Sequence, residues 1–229
     1  MIRRFSINLG NYSKIQVQTL KDELFLVNLN DQVVGKLNKQ KAHLNEWIYS
    51  KDALPHRAFS VFIFNTKDQL LLQQRSATKI TFPLFWTNSC CSHPIKHDKS
   101  EGIVLESYHR THFELGLDLT QYGHSQKLVQ KVLYRAKYDE NWGEYELDYL
   151  IFVKLHDNFT SFKHNNDEVV DVQWIDKKNV HDFVKNTDKV TPWFKRIVQQ
   201  TEFEKWWESY MKDDKKSFAG NTIIQLAGE

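Results

Sequence analysis

The chain has only two cysteines, Cys90 and Cys91, and they are neighbours among its 229 residues. A bond between adjacent cysteines is strained and no third is available, so a disulfide framework is excluded and the chain reads as intracellular and reduced. Glycine (8) and proline (4) are sparse, and no repeats or low-complexity segments interrupt a length that suits one domain. An excess of one charge sign is missing too. Lys+Arg 31 against Asp+Glu 29 leaves a net +2, so no global field argues for a nucleic-acid partner. No apolar run approaches the roughly 18 residues of a membrane span, and the mean hydropathy is −0.58. Aromatics, in contrast, are plentiful: Trp 7 and Phe 15 predict a heavily aromatic core and allow an aromatic-lined pocket.

From Met1 to Lys21 there is no acidic residue. Arginine and serine without acid suit an organellar transit peptide, and equally a disordered or partner-binding arm. The expected layout is an extension over 1–21, one domain over 22–212 and a tail over 213–229. The compartment is then cytoplasmic, or organellar if the extension is a transit peptide. Two apolar runs, 23–27 and 32–35, flank Asn30-Asp31 and predict a hairpin. Residues 38–55 read as a polar loop with one helical turn. Strands follow at 57–64 and 69–75, then an irregular loop around Pro83. A helix is predicted over 101–115, with Ser100 as N-cap and Gly116 as its stop. A long hairpin spans 128–138 and 145–155, a strand covers 168–175 and a short helix 177–185. Thr191-Pro192 opens a last helix whose apolar positions from Trp193 to Met211 keep a 3.6 period. Strands and helices mix without regular βαβ alternation, which predicts an α+β fold with a mixed sheet.

The stretch that could carry chemistry is residues 87–94, Thr-Asn-Ser-Cys-Cys-Ser-His-Pro. In extended chain alternate side chains share a face, so Cys91 and His93 look into one pocket while Cys90 looks away. His43, His56 and the pair Glu144 and Glu146, two apart on a strand, could join them as a nitrogen/oxygen metal site suited to zinc, manganese or iron. The bland alternative, surface or capping histidines, stays open, since ten histidines offer many triples. Arg75, Lys79 and Arg110, with Glu114 one turn after Arg110, could grip an anion such as a diphosphate and its Mg²⁺. They could equally be a solvated helix face with an i,i+4 pair.

The segments His56-Arg57-Ala58-Phe59-Ser60, Leu71-Leu72-Gln73-Gln74-Arg75-Ser76, residues 87–94, Trp142-Gly143-Glu144-Tyr145-Glu146-Leu147-Asp148-Tyr149 and Thr191-Pro192-Trp193-Phe194 together resemble the type I isopentenyl-diphosphate Δ-isomerases. These are Nudix-fold enzymes of isoprenoid biosynthesis, and the likeness runs over roughly residues 24–210. It implies a Nudix-type mixed sheet sandwiched by helices, with an N-terminal hairpin and a C-terminal amphipathic helix. It implies that Cys91 and Glu146 are the acid/base pair, with Tyr134 assisting the glutamate. His43, His56, His93, Glu144 and Glu146 would hold a divalent metal (Zn²⁺, Mg²⁺ or Mn²⁺). Glu114 would help hold Mg²⁺ on the substrate diphosphate, Arg75, Lys79 and Arg110 would contact its oxygens, and Trp193 would face the hydrocarbon end. Glu146 is the expected proton donor to the alkene and Cys91 the base in the isopentenyl-to-dimethylallyl direction. The implied partner is a small diphosphate, with no nucleic acid, no membrane span and a monomeric chain.

Two rivals remain. A Nudix hydrolase needs several carboxylates on one helix, but Arg110 and Phe113 occupy two of those positions. A non-catalytic Nudix-fold binding module would need neither Cys91 nor Glu146. One departure bears on the diphosphate clamp: after Pro83 the family has glycine and this chain has Leu84.

Overall fold

The computed structural model describes residue 10 and residues 12–156, 162–213 and 222–227. One mixed sheet forms its centre, and its main path runs from the strand Ile223–Gln225 through Lys127–Lys137, Gly143–Lys154, His56–Phe64 and Glu23–Val27 to Val33–Asn38. Its central strands are β3 (His56–Phe64), β7 (Lys127–Lys137) and β8 (Gly143–Lys154). β3 runs parallel to β8 and β7 antiparallel to it. The expected N-terminal hairpin is β1 (Glu23–Val27) with β2 (Val33–Asn38). β4 (Gln69–Arg75) pairs with β9 (Val169–Asp176) and with the short β5 (Trp86–Thr87), while β6 (Cys90–Ser92) lies antiparallel on β3.

Strand alternation splits the apolar side chains into two cores. On one face Phe62, Phe64, Leu150 and Phe152 pack with Trp193, Phe194, Phe203 and Trp207. On the other Phe59, Val61, Ile63, Leu147 and Ile151 pack with Ile103 and Leu115, which belong to α4 (Ser100–Leu115). Helices thus cover both faces, as the Nudix-type expectation required. Gly116 stops α4 at φ 68°, the left-handed conformation a side chain disfavours. Ser100 is the first helical residue and not the cap. Lys99 holds the cap position without a side-chain bond.

The polar loop after β2 contains two short helices, α2 (Lys39–Ala42) and α3 (Asn45–Ile48). Before β1 lies α1 (Lys14–Thr19), capped by the Ser13 side chain. Leu20 packs with Ile80 and Trp142, so part of the expected extension lies against the domain. Residues 1–9, on which most of the transit-peptide reading falls, lie outside the described residues. The short helix expected after β9 is α5 (Val180–Asn186). The expected last helix is two: α6 (Pro192–Val198) and α7 (Phe203–Met211). Turn bonds from Gln200 to Ile197 and from Phe203 to Gln200 separate them. The apolar period survives the break because both helices bury residues in the same core. The Thr191 hydroxyl makes no cap bond and donates instead to Thr87 Oγ1 at 2.8 Å. From the tail, β10 (Ile223–Gln225) adds a parallel strand to β7.

Candidate active site

Strand register assembles the site. His56 on β3 lies opposite Glu146 on β8, and Tyr134 on β7 lies opposite the same glutamate. Ser60 is paired with Cys91 on β6, which brings the neighbouring His93 to the same end. His43 arrives by another route: the Gly143 N–H donates to the His43 carbonyl at 2.9 Å, and Leu44 bridges Trp142. Gly143 permits this close passage, since a Cβ there would lie 2.7 Å from Asn45 Oδ1, and 2.6 Å from the Ala136 carbonyl oxygen on the other side. Glu144 and Glu146 then point the same way, as their spacing predicted.

His43, His56, His93, Glu144 and Glu146 each offer a ligand atom, and those atoms lie within 4.8 Å of one another. The three imidazole centroids are 4.7–5.1 Å apart. His43 Nδ1 meets the Lys39 carbonyl at 2.8 Å. His43 Nε2 faces Glu144 Oε2 at 3.0 Å. His56 Nε2 and His93 Nε2 both approach Glu146 Oε1, at 3.2 and 2.9 Å. Burial lowers the pKa of His56, and lowers that of His93 much further. Against the opposing effect of burial, His43 holds the Glu144 carboxyl below its usual range, and His56 and Tyr134 do the same for Glu146. Three imidazoles and two carboxylates whose ligand atoms converge this closely fit a divalent cation.

A pocket of about 80 Å³ opens beside this cluster. Of the residues expected at the site, His43, Arg75, Lys79, Cys91, His93, Arg110, Tyr134, Glu144, Glu146 and Trp193 line it. His56 and Glu114 lie behind its wall. The Tyr134 hydroxyl donates to Glu146 Oε2, and the Tyr134 ring stacks on Trp193 with centroids 5.9 Å apart. Cys90 is fully buried in the opposite core.

Cys91 is held by a residue that sequence reasoning missed. Asn88 Nδ2 donates to the carbonyls of Val61 and Cys90, which fixes the amide orientation. Its Oδ1 therefore accepts, from Thr87 Oγ1 at 2.9 Å, from Cys91 Sγ at 3.1 Å and from Trp193 Nε1 at 3.2 Å. One buried oxygen thus positions both the thiol and the indole. Burial first, and Asp148 second, push the Cys91 thiol up to about 12, so Cys91 rests protonated. Asp148 accepts from Ser60 at 2.7 Å. Burial and Glu146 raise its carboxyl well above the usual range. Its place on the Glu144, Glu146, Asp148 face was legible from the alternation.

The cationic side is a buried network. Lys79 Nζ contacts Glu114 at 3.1 Å and also Glu168. Arg110 Nη2 reaches the same two carboxylates, at 2.6 and 2.8 Å. Gln73 donates to the second Glu114 oxygen and Gln16 of α1 to Glu168. Glu114 is fully buried and does not line the pocket. Its oxygens meet Lys79, Arg110 and Gln73. Glu168 had no local signal, because its partners are distant in sequence. Lys39, half-buried on the pocket wall, is a further cation that was missed. Burial, with Arg110 and Lys79 nearby, brings its amine down to about 8. Arg75 spends Nε and Nη2 on the carbonyls of Phe82 and Thr81, with its guanidinium 5.6 Å from the Trp193 ring centroid. Leu84 stands at φ 63°, so the loop keeps a backbone conformation that favours glycine.

No protein-family model matches the chain. Isopentenyl-diphosphate Delta-isomerase I of Clarkia breweri is 40% identical over 217 residues, covering 89% of this chain and 74% of that one. The chloroplastic isopentenyl-diphosphate Delta-isomerase 1 of Cannabis sativa is 42% identical, covering 89% and 74%. Isopentenyl-diphosphate Delta-isomerase 1 of Mesocricetus auratus is 37% identical, covering 89% and 92%. A crystal structure of a Deinococcus radiodurans protein overlaps 78% of this chain and 98% of its own, at TM-score 0.55 and 16% identity. A bifunctional NMN adenylyltransferase/ADP ribose pyrophosphatase of Francisella tularensis, complexed with AMP and a manganese ion, overlaps 70% of this chain and 44% of its own, at TM-score 0.51 and 14% identity. These structural likenesses show the fold alone. The sequence relationships, at about 40% identity over most of the length, show that the chain belongs to the isopentenyl-diphosphate Delta-isomerase family.

Proposed function

We propose that the chain interconverts isopentenyl and dimethylallyl diphosphate, with Cys91 and Glu146 carrying out the two proton transfers. The observation that carries this reading is the convergence of Cys91, Glu146, Tyr134 and Trp193 on one pocket with cations along its wall. Lys39, Lys79, Arg75 and Arg110 hold the diphosphate there, and the five-carbon end lies against Trp193. Moving the double bond needs a proton added at one carbon and another removed two carbons away. An unactivated alkene is a poor base, so the step needs fixed charges in a site closed to water. The Trp193 face, stacked on Tyr134, stabilises the tertiary cation by cation–π attraction. A divalent ion held by the three histidines and two glutamates supplies Lewis acidity beside Glu146. Its identity among Zn²⁺, Mg²⁺ and Mn²⁺ is a matter for reconstitution, and magnesium enters with the diphosphate.

In the resting arrangement the thiol carries the proton, aimed at Asn88 Oδ1, and Glu146 is ionised. A turnover starting from this form has Cys91 giving the first proton and Glu146 taking the second, the reverse of the sequence-based expectation. The opposite direction exchanges the roles.

Incubation with isopentenyl diphosphate tests the function. Dimethylallyl diphosphate is the expected product, and release of inorganic phosphate would favour a hydrolase. Near-normal turnover by both Cys91→Ala and Glu146→Gln would overturn the residue assignment. Metal-stripped protein restored with each ion in turn should regain turnover. No activity with any of them would favour a binding module.

A further inference from the structure

A second cavity, of about 380 Å³, lies on the other side of the wall formed by Lys39, Ser92, His93 and Arg110. Its volume is within the roughly 300–1,000 Å³ typical of ligand pockets. Phe59 is buried beneath it, while Leu105 and Phe113 on α4 line it and are 44% and 42% exposed. Leu105, His109 and Phe113 follow one another at i, i+4 and i+8, a single stripe along the helix. Neither sheet core uses Leu105 or Phe113.

The groove is also basic. Lys39 and Lys96 reach it, as does Arg110, whose guanidinium also pairs with Glu114 and Glu168, and two acids, Asp22 and Glu106, line it as well. The charge of Glu106 is already engaged: its two oxygens accept the backbone N–H groups of Ile95, Lys96 and His97 at 2.8, 3.0 and 2.8 Å. An apolar stripe beside cations with few competing anions matches a molecule with an anionic head and an apolar tail.

We infer that this groove takes the hydrocarbon chain of a prenyl diphosphate longer than five carbons, with its diphosphate on Lys39 and Arg110. The inference rests on the reading above that these cations hold a diphosphate. Because both cavities share Lys39 and Arg110, one diphosphate position serves two chain directions. A short chain turns into the catalytic pocket, about 80 Å³, and a longer one lies along the groove. The longer compound therefore excludes the substrate without being turned over.

Geranyl diphosphate is the probe, assayed as an inhibitor of isopentenyl diphosphate turnover. It should inhibit competitively and more tightly than inorganic diphosphate. Leu105→Glu and Leu105→Gln should each weaken that inhibition by about tenfold, the scale of one lost apolar contact. Neither change should alter the kinetics of the five-carbon substrate or inhibition by inorganic diphosphate. The glutamine variant separates a lost apolar contact from charge repulsion. The inference is overturned if geranyl diphosphate inhibits no better than inorganic diphosphate, or if both Leu105 variants keep the wild-type inhibition constant. If isopentenyl diphosphate is not turned over at all, the isomerase reading fails instead. Calorimetric titration of geranyl diphosphate into wild type and Leu105→Glu then decides the groove separately, with equal affinities counting against it.

Discussion

Glu168 anchors the cationic wall, and replacing it with glutamine tests how that wall is held. Its carboxylate, 1% exposed, meets Lys79, Arg110 and Gln16. With Glu114 it gives two anions for two cations, so the buried network is neutral. Glu168→Gln keeps the shape and leaves Lys79 and Arg110 sharing Glu114 alone. Removing one partner from a buried ion pair costs about 3–5 kcal/mol. Glutamine still accepts a hydrogen bond and Arg110 is partly exposed, so the lower end, about 3 kcal/mol, applies here. For a chain of this size that lowers Tm by about 6–12 °C. The released positive charge should also bind an added anion more tightly. Inorganic diphosphate at a hundred times its Kd stabilises by about 2.7 kcal/mol, and its Tm gain at a fixed concentration should be larger in the variant than in wild type. Thermal melts with and without inorganic diphosphate supply both readings. A Tm change under 2 °C, or a smaller diphosphate gain in the variant, would refute the reasoning.

Three other perturbations follow from the same geometry. Gly143→Ala drives a Cβ against the Ala136 carbonyl and should cost about 1–3 kcal/mol while weakening divalent-ion binding through Glu144. Gly35→Ala, with nothing within 4 Å, is the control that should leave ion titrations unchanged. Leu84→Gly relieves a left-handed leucine, a strain of about 1–2 kcal/mol set against glycine's entropic cost of about 0.5–1 kcal/mol. Denaturant titration should show a small net gain, and a loss above 1 kcal/mol would show that the Leu84 side chain matters more. Asp148 keeps its proton in the folded state where the unfolded chain releases it near pH 4. Its contribution to stability is therefore greatest below that pH and falls as pH rises toward the folded pKa. Asp148→Asn removes this slope, so its Tm relative to wild type should climb between pH 5 and 7.5. Parallel curves would sink the account.

The two-residue spacings in Cys91/His93 and Glu144/Glu146 were sufficient by themselves to predict shared faces, because strand alternation is a local property. The hairpins, the long central strands and the Gly116 helix stop were legible for the same reason. Sequence periodicity could not register the break after Val198, since both halves of that segment bury side chains in one core. Nor could it reveal Glu168, Asn88 or Lys39, whose meaning comes from partners in other elements. Register decided the rest: His56 and Tyr134 both face Glu146 because β3 and β7 flank β8 in one alignment, and a slip of one residue would turn every one of these side chains to the other face. The residue types of the site were local information. That five of them share one small volume beside a thiol and an indole is a product of strand pairing, with His43 brought in by the segment that meets Trp142 and Gly143.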